Sequence, residues 1–156
     1  MAAELLEQSD YRSMADLRYQ VRRFLRFSEN AAREGGMEPQ QYQLLLAVKG
    51  LPEGTKPTVG ALAERMQLQH HSTVGLINRL VERGLLVRFR ATDDKRQVLV
   101  KLSLEGEAIL NALALHHLQE LRSVGPTFVT VLKNLLEDAS RQVTSNHNKK
   151  VEAKNG

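Results

Sequence analysis

The stretch TVGALAERMQLQHHSTVGLINRLVERGLLVRFRATDDKRQVLVKL, residues 58–102, decides the fold. Thr58 suits the N-cap of a short helix running to Met66, because its hydroxyl can accept from a free amide of the first turn. The segment Gln67-Leu68-Gln69 then turns the chain into a second helix, expected from His70 or His71 to Arg83. Val74, Ile77, Leu80 and Val81 form its apolar side, and Gly84 suits the left-handed position that stops it. Two helices joined by three residues with an apolar centre make a helix-turn-helix. The period then changes. Leu85–Arg90 and Gln97–Leu102 read as two short strands, and Ala91-Thr92-Asp93-Asp94-Lys95 reads as the polar tip of a hairpin.

Outward from this stretch the chain is helical on both sides. Met14, Leu17, Val21, Phe24, Leu25 and Ser28 recur at three- and four-residue steps, so a long helix is expected over 11–33, ending at Gly35-Gly36. Glu38-Pro39 opens a second helix whose buried side is Tyr42, Leu45, Leu46 and Ala47. Gly50 to Pro57 is a loop. After the hairpin, Ser103 is an N-cap, and Glu105 and Glu107 complement the dipole of the helix that follows, to about Ser123. Gly125-Pro126 is expected to break it before a last amphipathic helix carrying Phe128, Val131, Leu132, Leu135, Leu136 and Ala139. The expected division is an N-terminal dimerisation helix (1–36), a winged helix-turn-helix (37–102), C-terminal dimerisation helices (103–145) and a flexible tail (146–156), all as one structural domain. The fold class is mainly α with a small two-stranded β wing.

Composition narrows the function classes. The chain has 156 residues, 42% of them hydrophobic and 26% charged, which fits a globular protein. No apolar run approaches the roughly 18 residues of a membrane span, and Glu4 and Glu7 stand where a signal peptide would be basic. A cytoplasmic location with no membrane partner is therefore expected. The absence of cysteine removes disulfides, thiolate metal sites and thiol switches from consideration. The adjacent pairs His70-His71 and His116-His117 lack the i, i+4 spacing of helical metal ligands, so no metal and no cofactor are expected. No nucleophile, base and acid fall in a catalytic pattern, and an enzyme is not expected.

Charge placement points to a polyanion. Between Arg79 and Lys101 stand seven cations (Arg79, Arg83, Arg88, Arg90, Lys95, Arg96 and Lys101) against three anions, an excess equal to the whole chain's net charge of +4. Gln69, His70, His71, Ser72 and Thr73 are polar residues at the start of the second helix, as major-groove readout requires, and equally serve as capping residues. Arg79 can reach a phosphate or pair with Glu82. Arg96 at the hairpin edge suits a narrow minor groove, and Asp94, two residues earlier, can hold its guanidinium; taken alone, the pair reads rather as a surface ion pair of little consequence. Arg90 and Lys95 complete the basic wing.

Three segments together resemble the MarR family of bacterial transcriptional regulators: 58–66, 71–88 and the wing 94–106. The wing follows that family's pattern of Asp, any residue, Arg, then an alternating strand ending in Leu-Thr with a glycine three residues on; here Ser103 takes the threonine position. The resemblance covers about residues 58 to 106. It implies a homodimeric winged helix that binds a pseudo-palindromic DNA operator, most often as a repressor released by a small aromatic or anionic effector. It also implies that the helix from His70 lies in the major groove, that Arg96 enters the minor groove, and that Asp94 orients it. Two equivalent half-sites need two recognition helices about 34 Å apart, which the long terminal helices would provide by pairing two copies. A winged helix used only for protein assembly is the competing class.

Overall fold

The structure, a computed structural model, describes residues 6–152, with side chains described for 6–137. In chain order it contains α1 (Gln8–Glu34), α2 (Pro39–Lys49), α3 (Val59–Met66), α4 (His70–Glu82), β1 (Leu86–Arg90), β2 (Val98–Leu102) and α5 (Leu104–Glu152). The strands pair antiparallel, with Leu86 opposite Leu102 and Arg90 opposite Val98. This is a winged helix-turn-helix with long helices before and after it.

Three helices end on the same device. In each, the chain turns through one left-handed residue, and the amide beyond it reaches back five residues to a helix carbonyl. At α1 these are Gly36 (φ 77°) and Met37 N donating to Ala32 O at 2.9 Å. At α4 they are Gly84 (φ 71°) and Leu85 N donating to Leu80 O at 2.9 Å. At α3 the left-handed position is held by Gln67 (φ 52°), and Leu68 N donates to Ala63 O at 3.0 Å. Gln67 has a Cβ to accommodate there, and its Nε2 donates to Glu64 O at 2.7 Å. This bend is the turn of the helix-turn-helix. Both expected serine and threonine caps are formed. Thr58 Oγ1 accepts from Ala61 N at 3.2 Å, and Ser103 Oγ accepts from Gly106 N at 3.0 Å.

Residues 27–118 form one compact unit with a single hydrophobic core. Leu44 and Leu45 of α2, Leu62 of α3, Leu76, Ile77 and Leu80 of α4, and Leu85 and Leu86 at the wing root are its most deeply buried members. Ala32 of α1 and Leu110 and Leu113 of α5 close it. The wing joins the core through β2: Leu99 and Val100 are buried, and Val100 N donates to Pro57 O at 3.1 Å, fixing the strand to the segment before α3. Gly106 sits so close to the wing root that a Cβ there would lie 2.1 Å from Leu85 O.

A second unit comprises the described parts of 1–26 and 119–156. Within it Arg23 stacks over the Tyr19 ring at 5.8 Å, and Tyr11, Met14, Val21, Leu25, Leu121, Val129 and Leu132 are exposed. The expected break at Gly125-Pro126 is absent: α5 runs through Pro126 without interruption. A proline removes one helical donor, the one owed to the carbonyl of Arg122, but need not end a helix; separately, Thr130 Oγ1 donates to the Pro126 carbonyl at 3.0 Å. Of the tail expected from residue 146, the backbone to Glu152 continues α5, with neither Gly nor Pro between Pro126 and Glu152 to stop it; the rest lies outside the described residues. Among the described residues no helix is long and apolar enough to cross a membrane.

Candidate nucleic-acid interface

α4 presents a polar face. Gln69, His70, His71, Ser72, Asn78 and Arg79 are all exposed, and Gln69 serves as N-cap through its backbone, without a side-chain cap bond. Thr73 departs from the sequence expectation. It is fully buried, and its hydroxyl donates to Gln69 O at 3.1 Å. The helical period explains why: Thr73, Leu76, Ile77 and Leu80 share the inward stripe, whereas Val74 and Val81 lie at its half-buried margin. Thr73 therefore closes the first turn of α4 and offers nothing to a ligand.

At the wing tip, one carboxylate oxygen organises Arg96. Asp94 Oδ1 accepts from Arg96 N at 3.0 Å and from Arg96 Nε at 3.3 Å, which fixes backbone and side chain together. The Arg96 side chain is nonetheless 94% exposed, so its outer nitrogens face solvent. Arg90 has a different task from the one its charge suggested. Its Nη1 donates to the carbonyls of Lys95 (3.3 Å) and Arg96 (3.5 Å), propping the tip from β1. Lys95 is exposed.

Several supporting residues escaped the sequence reading. Lys56, from the loop before α3, donates to the Asp93 carboxylate and to Gln97 Oε1 (3.4 Å), tying the far side of the tip to the body. The Lys56 ammonium, aided by backbone N–H groups, holds the Asp93 carboxyl below its ordinary value of 3.8. Arg88 of β1 donates to Asn78 Oδ1, tying the wing to the outward face of α4. Arg83 donates to Gln41 Oε1 at 2.5 Å and to Gly36 O at 3.1 Å, and Lys101 lies over the Phe89 ring at 5.5 Å. The basic cluster thus divides. Arg83, Arg88 and Arg90 are spent on protein acceptors, whereas Arg79, Lys95 and the outer edge of Arg96 remain available. Among the described residues Arg79 makes no ion pair with Glu82, the alternative the sequence left open.

A second polar cluster lies inside the same unit. His117 is buried, stacked on Tyr42 at 4.5 Å, with Nδ1 2.6 Å from Leu113 O and Nε2 3.1 Å from Ser28 O. Phe27 packs against His116 at 5.3 Å. Burial raises the Tyr42 phenol above its ordinary value of 10.0. These contacts explain His117 as a tie between α1, α2 and α5. Among the described residues no group of three or more His, Cys, Asp or Glu side chains could hold a metal ion.

With this geometry in place, the likeness to known proteins is specific. Residues 35–97 match the model of the MarR family. The fold matches AbsC, a MarR family transcriptional regulator from Streptomyces coelicolor, with a TM-score of 0.69 and 18% identity over 92% of this chain and 99% of that one. It matches a MepR mutant of S. aureus bound to an oligodeoxyribonucleotide at a TM-score of 0.58, with 16% identity over 87% and 93% of the two chains. CouR from Rhodococcus jostii RHA1, bound to p-coumaroyl-CoA, matches at a TM-score of 0.60, with 22% identity over 77% and 82%. No curated protein sequence matches the chain. The winged helix-turn-helix and the helices that frame it are the fold of solved MarR family regulators, and the family model matches its central part.

Proposed function

We propose that this chain belongs to the MarR family and is a transcriptional regulator that binds double-stranded DNA as a homodimer, with α4 in the major groove and Arg96 in the minor groove. The observation that carries the reading is the state of Arg96: nearly fully exposed, yet oriented through two bonds to Asp94. A surface arginine without a task would lose no entropy by staying unpaired. One whose stem is held while its outer nitrogens stay free is prepared for an anionic or acceptor-rich groove. Gln69, His70, His71 and Ser72 would supply contacts to base edges or phosphates, and Lys95 a phosphate contact. Asp94 and Arg90 would act through Arg96 and the tip. The DNA-bound MepR neighbour, which shares the fold, supports the same use of it.

The homodimer is supported by the apolar residues that 6–26 and 119–137 leave exposed, among them Met14, Val21, Leu25, Val129 and Leu132. A second copy covering them would bring two α4 helices to two half-sites of a pseudo-palindromic operator. Release of a repressor by a small aromatic or anionic molecule is the regulatory reading, supported by the p-coumaroyl-CoA-bound CouR neighbour. Selection of bound duplexes from a random pool tests the proposal. Enrichment of an inverted repeat is the expected result, and a pool that stays random would overturn it.

A further inference from the structure

The outward face of α4 carries one residue that the fold itself does not require. Gly75 is mid-helix, one turn beyond His71 and one turn before Arg79, and its φ lies outside the positive range. A Cβ built there would meet only Arg79 Nη1, at 3.9 Å, an ordinary contact. Gly60 of α3 and Gly125 of α5 are open helical positions too, but Gly75 is the glycine of α4, and elsewhere glycine is required. Gly36 and Gly84 hold left-handed turns, and Gly106 would collide with Leu85 O. In a helix interior glycine is disfavoured against alanine, because it gives up more backbone freedom on folding. Its presence therefore removes bulk from the outward face of α4, where the half-buried Gly75 has no close contact that requires it.

What the missing side chain uncovers is a shallow notch with the α4 backbone as its floor. A helical side chain leans back over the preceding turn, so Arg79 covers the position of residue 75, and its guanidinium sits at the rim. Among the described residues that guanidinium makes no hydrogen bond or ion pair. Its neighbour Asn78 is already engaged by Arg88. The one unspent cation on the face of α4 thus stands beside the one position of that helix that has no side chain.

We infer that Gly75 and Arg79 form a specificity-determining pair that admits the major-groove edge of a guanine, with the Arg79 guanidinium donating to O6 and N7. Guanine presents two acceptors side by side on that edge, matching the fork of an arginine; no other base does. A methyl group at residue 75 would hold the base edge off the helix backbone while leaving the guanidinium in ordinary contact. This inference rests on the reading of α4 as the major-groove helix.

The test compares the full chain with Gly75→Ala and Arg79→Ala by thermal unfolding and by selection from a random duplex pool. Fluorescence anisotropy then measures binding to the wild-type-selected duplex and to an unrelated duplex. Gly75→Ala is expected to unfold at a higher temperature than the wild type, yet to discriminate the selected duplex from the unrelated one at least about tenfold less well. Arg79→Ala is expected to lose a guanine preference at one position of each half-site and to keep the rest of the motif. A lower unfolding temperature for Gly75→Ala would make the glycine a structural need and overturn the inference. So would enrichment of the same motif, guanine included, by both variants. If the wild type itself enriches nothing, the groove-reading premise falls and takes the pair with it, a result distinct from the other two.

Discussion

Gly106, in the first turn of α5, faces the carbonyl of Leu85 so closely that a Cβ would lie 2.1 Å from that oxygen. The same carbonyl accepts from Ser103 N at 3.1 Å, so it cannot swing away without breaking the junction between wing and helix. Gly106→Ala is therefore expected to destabilise the fold by about 1–3 kcal/mol or more, as overpacking does. Chemical denaturation would measure it, and a variant as stable as the wild type would contradict the packing described.

Arg96 is held by Asp94 but is otherwise exposed, so it should act on DNA and contribute nothing to the fold. Arg96→Ala is expected to weaken binding to a selected duplex at least about tenfold and to reduce the dependence of log affinity on log salt by about 1. Its unfolding temperature should not change. Asp94→Ala should cost less, because the charge survives and only its orientation is lost. Unchanged affinity in Arg96→Ala, by anisotropy, would remove the wing from the interface.

Ser72 and Thr73 are adjacent, and the structure separates them completely. Thr73→Val keeps the shape but removes the hydroxyl bond to Gln69 O, so it should cost about 0.5–1.5 kcal/mol of stability without changing DNA affinity. Ser72→Ala, on the exposed side, should do the reverse. Paired denaturation and binding measurements on the two variants decide it, and a Thr73→Val protein with weakened binding and full stability would restore the sequence expectation.

Asp93 titrates below its ordinary value of 3.8 because of Lys56 and nearby backbone N–H groups. A carboxyl whose folded value is depressed stabilises the fold above its unfolded value, and that contribution is lost as pH falls through the folded one. The window thus lies below about pH 4. A carboxyl NMR titration should give Asp93 a midpoint under 3.8, and Lys56→Gln should raise it. A midpoint indifferent to that substitution would mean that Lys56 does not brace the wing.

Val129 and Leu132 are exposed apolar residues of α5. If a second copy covers them, Leu132→Glu should convert a particle of two chains into one of a single chain in light scattering at micromolar concentration. A wild-type monomer under those conditions would dispose of the dimer.

The central motif was legible because its signals are local. Thr58, Gly84, Ser103 and the wing tip each act within a few residues of themselves, and the change from helical to strand period between Arg83 and Leu86 is abrupt. Asp94 and Arg96 were also within reach, being two residues apart. Lys56 with Asp93 and Arg83 with Gln41 were not, since 37 and 42 residues separate them and no local pattern links them. Thr73 has the chemistry of a base contact but the phase of a core residue: at three and four residues before Leu76 and Ile77, it belongs to the inward stripe. The charge of Arg90 points outward only on paper, since its guanidinium turns to the tip carbonyls. Gly125-Pro126 has the composition of a helix stop, yet α5 continues through it.

Ser103 joins three pieces of chain at one point. Its hydroxyl donates to Gly84 O at 2.6 Å and accepts from Gly106 N, and its amide donates to Leu85 O. Native-state opening at this junction cannot release one of these bonds and spare the others. The end of α4, the wing root and the first turn of α5 therefore form one cooperative unit, whose amides at Leu85, Ser103 and Gly106 should exchange with solvent hydrogen at a common rate. The wing, which by its exposure should fray first, inherits the lifetime of the helix it is fastened to.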